Sequence, residues 1–262
     1  MIEPLQFEVA GGRLCGAFHV PNDRPRGGVL LCPPLLEERK GAARPYFELG
    51  ERLAGFGVTT LRFDYRGTGD SEGRQEDMTL ASSAEDVRAA LAELQGRCGA
   101  SIVVTGLRLG ATLAAMACEK ADDLAGLLLW EPVLNGEEFF RLNVRRHMFR
   151  RSLIRSHVAP RSQAGGDGSE QCVDLDGFLL RREFCEELRA INLAAIQRPR
   201  FPVTLFQVSH NQEPRKHVEG FVGQWGAEFR PFVCEPFWSR IGYVDCSELT
   251  DASVEWIVKR FT

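Results

Sequence analysis

Residues 101–115, Ser-Ile-Val-Val-Thr-Gly-Leu-Arg-Leu-Gly-Ala-Thr-Leu-Ala-Ala, constrain this chain more than any other stretch. A β-branched run reads as a buried strand and an Ala/Leu-rich run reads as a helix, so only Gly106-Leu107-Arg108-Leu109-Gly110 is left to join them. A strand can become a helix in so few residues only if the apex takes an unusual backbone conformation and its neighbours let another chain come close. Glycines on both sides supply that room. The apex residue is Arg108, whose guanidinium stays protonated at any working pH and cannot attack a carbonyl, so this position pairs or binds rather than reacts.

The rest of the chain alternates strand and helix signals. Residues 6–10 and 13–20, joined around Gly11-Gly12, predict a β-hairpin, and residues 28–32 predict a continuous apolar strand ended by Pro33-Pro34. A helix is expected over 43–55 and a strand over 58–64. Apolar residues at 80, 84, 87, 91 and 94 give residues 79–97 a helical period, with Ser82-x-x-Glu85 as a capping box at its start. Strands over 125–130, 202–208 and 229–234 and a closing helix over 248–261 complete the pattern. Strands separated by helices imply right-handed crossovers, so the expected fold is α/β: a mostly parallel sheet of about eight strands, helices on both faces.

Residues 135–200 break the alternation and predict a cap inserted into a core formed by 1–134 and 201–262. Two helices are expected in it, over 137–156 and 182–196, around a glycine-rich loop at 165–169 and a strand over 172–180. The first helix carries Arg141, Arg145, Arg146, Arg150, Arg151 and Arg155, and no acidic residue occurs from 139 to 160. Such a run fits a solvated face, an anionic ligand or a membrane surface. At about 100° per residue, Arg141 and Arg145 point one way while Arg146 and Arg150 point nearly the other, which disfavours the membrane.

Composition narrows the function. A chain of 262 residues with net charge −4 and a pI near 5.8 lacks the basic balance of a nucleic-acid binder. The first residues lack a signal peptide's basic start and apolar run, no stretch is apolar enough to span a bilayer, and the expected location is the cytoplasm. Eight cysteines are scattered without any C-x-x-C spacing, so they read as buried thiols in a reducing compartment. No metal and no cofactor is expected.

The segment Phe63-Asp64-Tyr65-Arg66-Gly67-Thr68-Gly69-Asp70-Ser71-Glu72-Gly73 resembles a signature of the serine-aminopeptidase-like and lysophospholipase-like α/β-hydrolases. It lies, as there, one β-α unit before the 106–110 turn. That turn resembles their nucleophile elbow, Gly-x-Ser-x-Gly, with Arg108 at the serine position. More narrowly, residues 33–40, 106–110 and 129–134 resemble the exosortase-associated branch, encoded with bacterial exopolysaccharide and protein-sorting systems. The resemblance implies the α/β-hydrolase fold and a hydrolase ancestry, makes Ser71 a structural turn residue, and supplies no substrate.

The remaining positions the resemblance assigns to a catalytic triad also differ. The acid position falls on Asn211 or, with a loop shift, Glu213, and the closing loop around Trp238 contains no histidine. His210 and His217 come one strand too early, and His19, His147 and His157 lie in the hairpin and cap. Glu37, Glu38, Glu131 and Glu213 are candidate partners for Arg108, and Arg108 with Leu35, Leu36, Leu107, Leu109 and these first three glutamates forms the candidate ligand site. Three readings stay open: a guanidinium-carboxylate plug in a dead site, a pocket for a small anion, and a relocated nucleophile, for which Cys32 is the candidate. The expected function is a hydrolase-like protein without ordinary serine-hydrolase activity that binds an anionic ligand or a protein partner. The alternative is an unconventional hydrolase of esters, amides or thioesters.

Overall fold

A computed structural model describes residues 1–99, 101–155, 172–210, 212–240 and 242–262. Its centre is an eight-stranded sheet in the order β1-β2-β4-β3-β5-β6-β9-β10. The hairpin of β1 (Ile2–Val9) and β2 (Gly12–His19) is antiparallel and joins β4 (Val58–Phe63) antiparallel. The strands β3 (Gly27–Cys32), β4, β5 (Ile102–Leu107), β6 (Gly126–Trp130), β9 (Val203–Ser209) and β10 (Glu228–Val233) run parallel. Every residue of β3, β5 and β6 is buried, as expected of strands covered on both faces.

Two apolar layers cover the sheet. On one side, α1 (Glu38–Gly55) and α7 (Ser247–Val258) contribute Tyr46, Leu49, Leu53, Leu249 and Ile257. On the other, α2 (Leu80–Cys98), α3 (Leu109–Ala117) and α6 (Lys216–Trp225) contribute Val87, Leu94, Leu113 and Phe221. The periodic residues Leu80, Ala84, Val87, Leu91 and Leu94 of α2 are all buried. Its capping box is formed by Thr79 and Ser82 rather than Ser82 and Glu85: Thr79 Oγ1 accepts from Ser82 N at 2.9 Å and Ser82 Oγ accepts from Thr79 N at 3.0 Å. The helix α1 begins at Glu38, a turn earlier than expected, because Gly41 and Pro45 fall inside it where they mask the helical pattern.

Between β6 and β9 lie α4 (Gly136–Arg155), a hairpin of β7 (Cys172–Leu175) and β8 (Phe178–Arg181), and α5 (Arg182–Ala190). The single strand expected over 172–180 is thus two. Asp176 and Gly177, both with positive φ, turn the chain between them. The second helix stops at Ala190, and a short 3-10 turn at Leu193–Ala195 follows. The glycine-rich loop at 165–169 lies outside the described residues. Phe139, Leu180, Phe184 and Leu188 join the α2/α3 layer, so this insert is packed onto the core.

Candidate functional site

Arg108 sits at the strand-to-helix turn after β5, with φ 56° and ψ −124°, a conformation that costs a non-glycine residue on the order of 1–3 kcal/mol. Its amide donates to Trp130 O at 2.9 Å, and its carbonyl accepts from Ala111 N at 3.1 Å. The flanking glycines are sterically required. A Cβ at Gly106 would lie 2.6 Å from Ala111 N, and one at Gly110 would lie 2.2 Å from Pro33 O. Four described residues other than glycine have positive φ, and three of them, Leu36, Arg108 and Glu131, lie in the connections just after β3, β5 and β6. Strain is therefore concentrated where these three strand ends meet.

The guanidinium is caged. Nε donates to Glu38 Oε1 at 3.2 Å and Oε2 at 3.3 Å, and Nη1 donates to the backbone oxygen of Glu131 at 3.3 Å. The Arg108 side chain is 15% exposed and that of Glu38 4%. Phe139 from α4 and Trp238 from the closing loop place their rings 5.5 and 5.3 Å from the guanidinium carbon, within cation-π range. Trp238 belongs to a 3-10 turn packed so closely on α1 that a Cβ at Gly41 would lie 2.5 Å from Phe237 O.

The other candidates disperse. The Glu131 carboxylate accepts from Val208 N at 2.9 Å and pairs with Arg215, leaving only its carbonyl for Arg108. Glu37 pairs with Lys40 at 2.9 Å. The Glu213 side chain is exposed and its carbonyl accepts from Gln207 Nε2 at 3.0 Å; Asn211 lies outside the described residues. Leu35, Leu107 and Leu109 are fully or almost fully buried and Leu36 is 9% exposed, so these side chains are core and any ligand contact there falls to the backbone. The Leu109 amide opens α3 and has no carbonyl within its own helix to bond.

Cys32 is fully buried, and burial pushes its thiol well above its ordinary range, which removes the thiolate a nucleophile needs. Ser71 Oγ donates to Asp64 O at 2.7 Å and accepts from Cys15 N at 2.9 Å, a structural tie between β2 and the turn after β4. The neighbouring Arg66 is fixed by Asp86, with its amide 2.9 Å from Oδ2. His19 is fully buried, with Nδ1 2.7 Å from Glu51 Oε1 and Nε2 accepting from Arg62 Nε at 2.8 Å, and burial lowers its pKa. His147 Nδ1 accepts from Asp176 N at 2.9 Å, while His210 and His217 are exposed. None of these imidazoles reaches Arg108.

Sequence reasoning missed Phe139, Gln207 and Arg215. Gln207 is the one detectable in retrospect, a polar residue amid the apolar run of β9; it is fully buried and its Oε1 accepts from Arg215 N at 3.1 Å. Also unforeseen is a cavity of 270 Å³ beside Trp238, lined by Lys40, Arg44, Arg150, Arg240 and Tyr243 among others. The Arg44 guanidinium lies 4.4 Å from the centre of the Tyr243 ring.

The strand order, the strained turn after β5 and the loops around it define a hydrolase fold. The sequence profile of the family described as serine aminopeptidase, S33, matches residues 24–204, and the chain belongs to that family of α/β-hydrolases. No curated protein sequence matches it. Among solved structures it is similar to DcsB in complex with its substrate analogue (16% identity, all of both chains, TM-score 0.68). It is also similar to Est1E from Butyrivibrio proteoclasticus with bound ferulic acid (15% identity, 98% of both chains, TM-score 0.69). A third is an esterase of Pyrococcus furiosus (16% identity, 99% of this chain and 91% of that one, TM-score 0.69).

Proposed function

We propose that this member of the hydrolase family has lost serine-hydrolase chemistry and keeps the fold to bind a small anionic ligand. The observation that carries the reading is the cage around Arg108. At the elbow apex, a permanently charged side chain is paired through Nε with Glu38 and covered by Phe139 and Trp238, the latter from the loop to which family resemblance assigns the catalytic histidine. A guanidinium that stays protonated even beside a carboxylate has no lone pair to offer and cannot act as a nucleophile. The guanidinium-carboxylate pair therefore plugs the old site.

The ligand is assigned to the cavity on the outer side of Trp238. Four cationic side chains line it, Lys40, Arg44, Arg150 and Arg240, against the carboxylates of Glu37 and Glu48. Glu37, just before α1, pairs with Lys40, Glu48 pairs with Arg44, and Arg150 and Arg240 pair with Asp176 and Glu235; such exposed ion pairs contribute little and an anion can displace them. Resemblance to the exosortase-associated branch directs attention to acidic sugars of exopolysaccharides, and the free thiols favour a reducing, cytoplasmic setting. A second reading, hydrolysis through some other nucleophile, has in its favour that similar structures include esterases and a thioesterase domain.

Thermal shift with inorganic phosphate, simple carboxylates and hexuronic acids tests the binding role. A ligand at 100 times its Kd adds about 2.7 kcal/mol, a shift of several degrees. Arg44→Gln should abolish that shift. Failure of every anion in the panel to stabilise the protein contradicts the assignment.

A further inference from the structure

The outer face of α4 carries large apolar side chains as well as the arginines. Phe139, Phe140 and Val144 turn toward the apolar layer, and His147 and Arg150 turn to Asp176 in the β7–β8 connection, with Arg150 Nη1 2.8 Å from Oδ2. Left outside are Leu142, Met148 and Phe149, which are 42, 66 and 64% exposed. With about 3.6 residues per turn, these three share an arc of about 120° with Arg141 and Arg145, and Arg146 flanks it. Arg141, Arg145, Arg146 and Arg151 make no ion pair among the described residues. The chain as a whole carries a net charge of −4, so this cationic surface is a local feature; the first turn of α4 adds Glu137, paired with Arg189, and the exposed Glu138 at the start of the stripe, and no acidic residue follows from 139 to 155.

We propose that this face of α4 docks on an anionic lipid surface. Large apolar side chains and arginines interleave along the same stripe, so the partner must accept apolar insertion and supply negative charge at every point along it. A bilayer interface does both over the whole length of a helix: phosphates meet the guanidinium groups while the apolar side chains reach the acyl boundary about 5–10 Å deep. The long arginine stems lie along apolar surface with their heads at the phosphates. An acidic protein would instead need a separate apolar pocket beside each carboxylate cluster. Phe139, which touches Arg108, lies about 60° beyond the edge of this arc and is buried, so docking leaves the caged elbow undisturbed. The inference stands apart from the proposed ligand cavity, which is lined by Arg150 rather than by the residues of this stripe.

Flotation of the full chain with vesicles of phosphatidylcholine, with or without added phosphatidylglycerol, tests the proposal. Binding is expected only to the anionic vesicles and should weaken with salt. Arg141→Gln and Arg145→Gln should each weaken it about fivefold, since a basic residue near an anionic leaflet contributes about 1 kcal/mol. The pair Met148→Ser with Phe149→Ser should weaken binding at least about tenfold at unchanged melting temperature, because both residues are exposed in the free protein. No binding of folded wild type to anionic vesicles overturns the proposal. So does binding that the Met148/Phe149 pair leaves intact while soluble polyglutamate competes for it, a result that would identify an acidic protein as the partner.

Discussion

Replacing Arg108 by leucine removes one member of a pair in which the other, Glu38, has a side chain only 4% exposed. Leaving a buried carboxylate without its counter-charge typically costs about 3–5 kcal/mol. The guanidinium itself keeps 15% exposure and leucine refills part of the space between Phe139 and Trp238, so the low end, about 3 kcal/mol, is expected. For a domain of this size each kcal/mol moves Tm by about 2–4 °C, which gives a fall of about 6–12 °C by calorimetry. The double variant Arg108→Leu with Glu38→Leu removes the orphaned charge and should recover most of that loss, since a buried ion pair replaced by apolar residues is often neutral. The two substitutions must then be strongly non-additive in a double-mutant cycle. A Tm for Arg108→Leu within a degree of wild type, or additive losses in the double variant, would refute the internal plug.

Further outcomes follow from neighbouring contacts. Arg108→Ser is expected to show no turnover of p-nitrophenyl esters above buffer, because among the described residues no imidazole contacts the elbow; measurable esterase activity would show that a base had been overlooked. Gly110→Ala should prevent accumulation of folded protein, as its Cβ would fall 2.2 Å from Pro33 O, and a soluble variant with wild-type Tm would contradict that contact. Ser71→Ala breaks two hydrogen bonds between β2 and the turn after β4 and should cost about 1–3 kcal/mol in urea unfolding without altering any ligand shift. Burial holds His19 below its ordinary 6.5, so the unfolded chain takes up a proton that the folded one refuses. Stability should be intact above pH 6.5 and decline as pH falls below it, and the decline should be shallower in His19→Gln.

The sheet and its turn were readable because their signals are local. Buried parallel strands such as β3, β5 and β6 appear as unbroken apolar runs, and the glycines at 106 and 110 announce a tight turn whatever lies between them. The Arg108 partnership was readable only as a choice among glutamates. Glu37 and Glu38 are adjacent in sequence, and the first turn of α1 alone sends Glu38 inward and Glu37 toward Lys40. Phe139 and Trp238 could not be foreseen because their contact with Arg108 depends on how the insert and the closing loop pack. Counting charges along α4 gave the arginines but not the exposed apolar side chains among them, Leu142, Met148 and Phe149, which periodicity alone would assign to a core.

If the elbow is plugged, no residue of this site forms a covalent acyl or phosphonyl adduct. Intact-mass spectrometry of the purified protein after treatment with a fluorophosphonate, followed by peptide mapping, tests it most directly. An unmodified mass is expected under conditions that label an active serine esterase to completion. A stoichiometric adduct mapped to a single residue, at Ser71, Ser209, Ser239 or elsewhere, would contradict it and establish a working hydrolase.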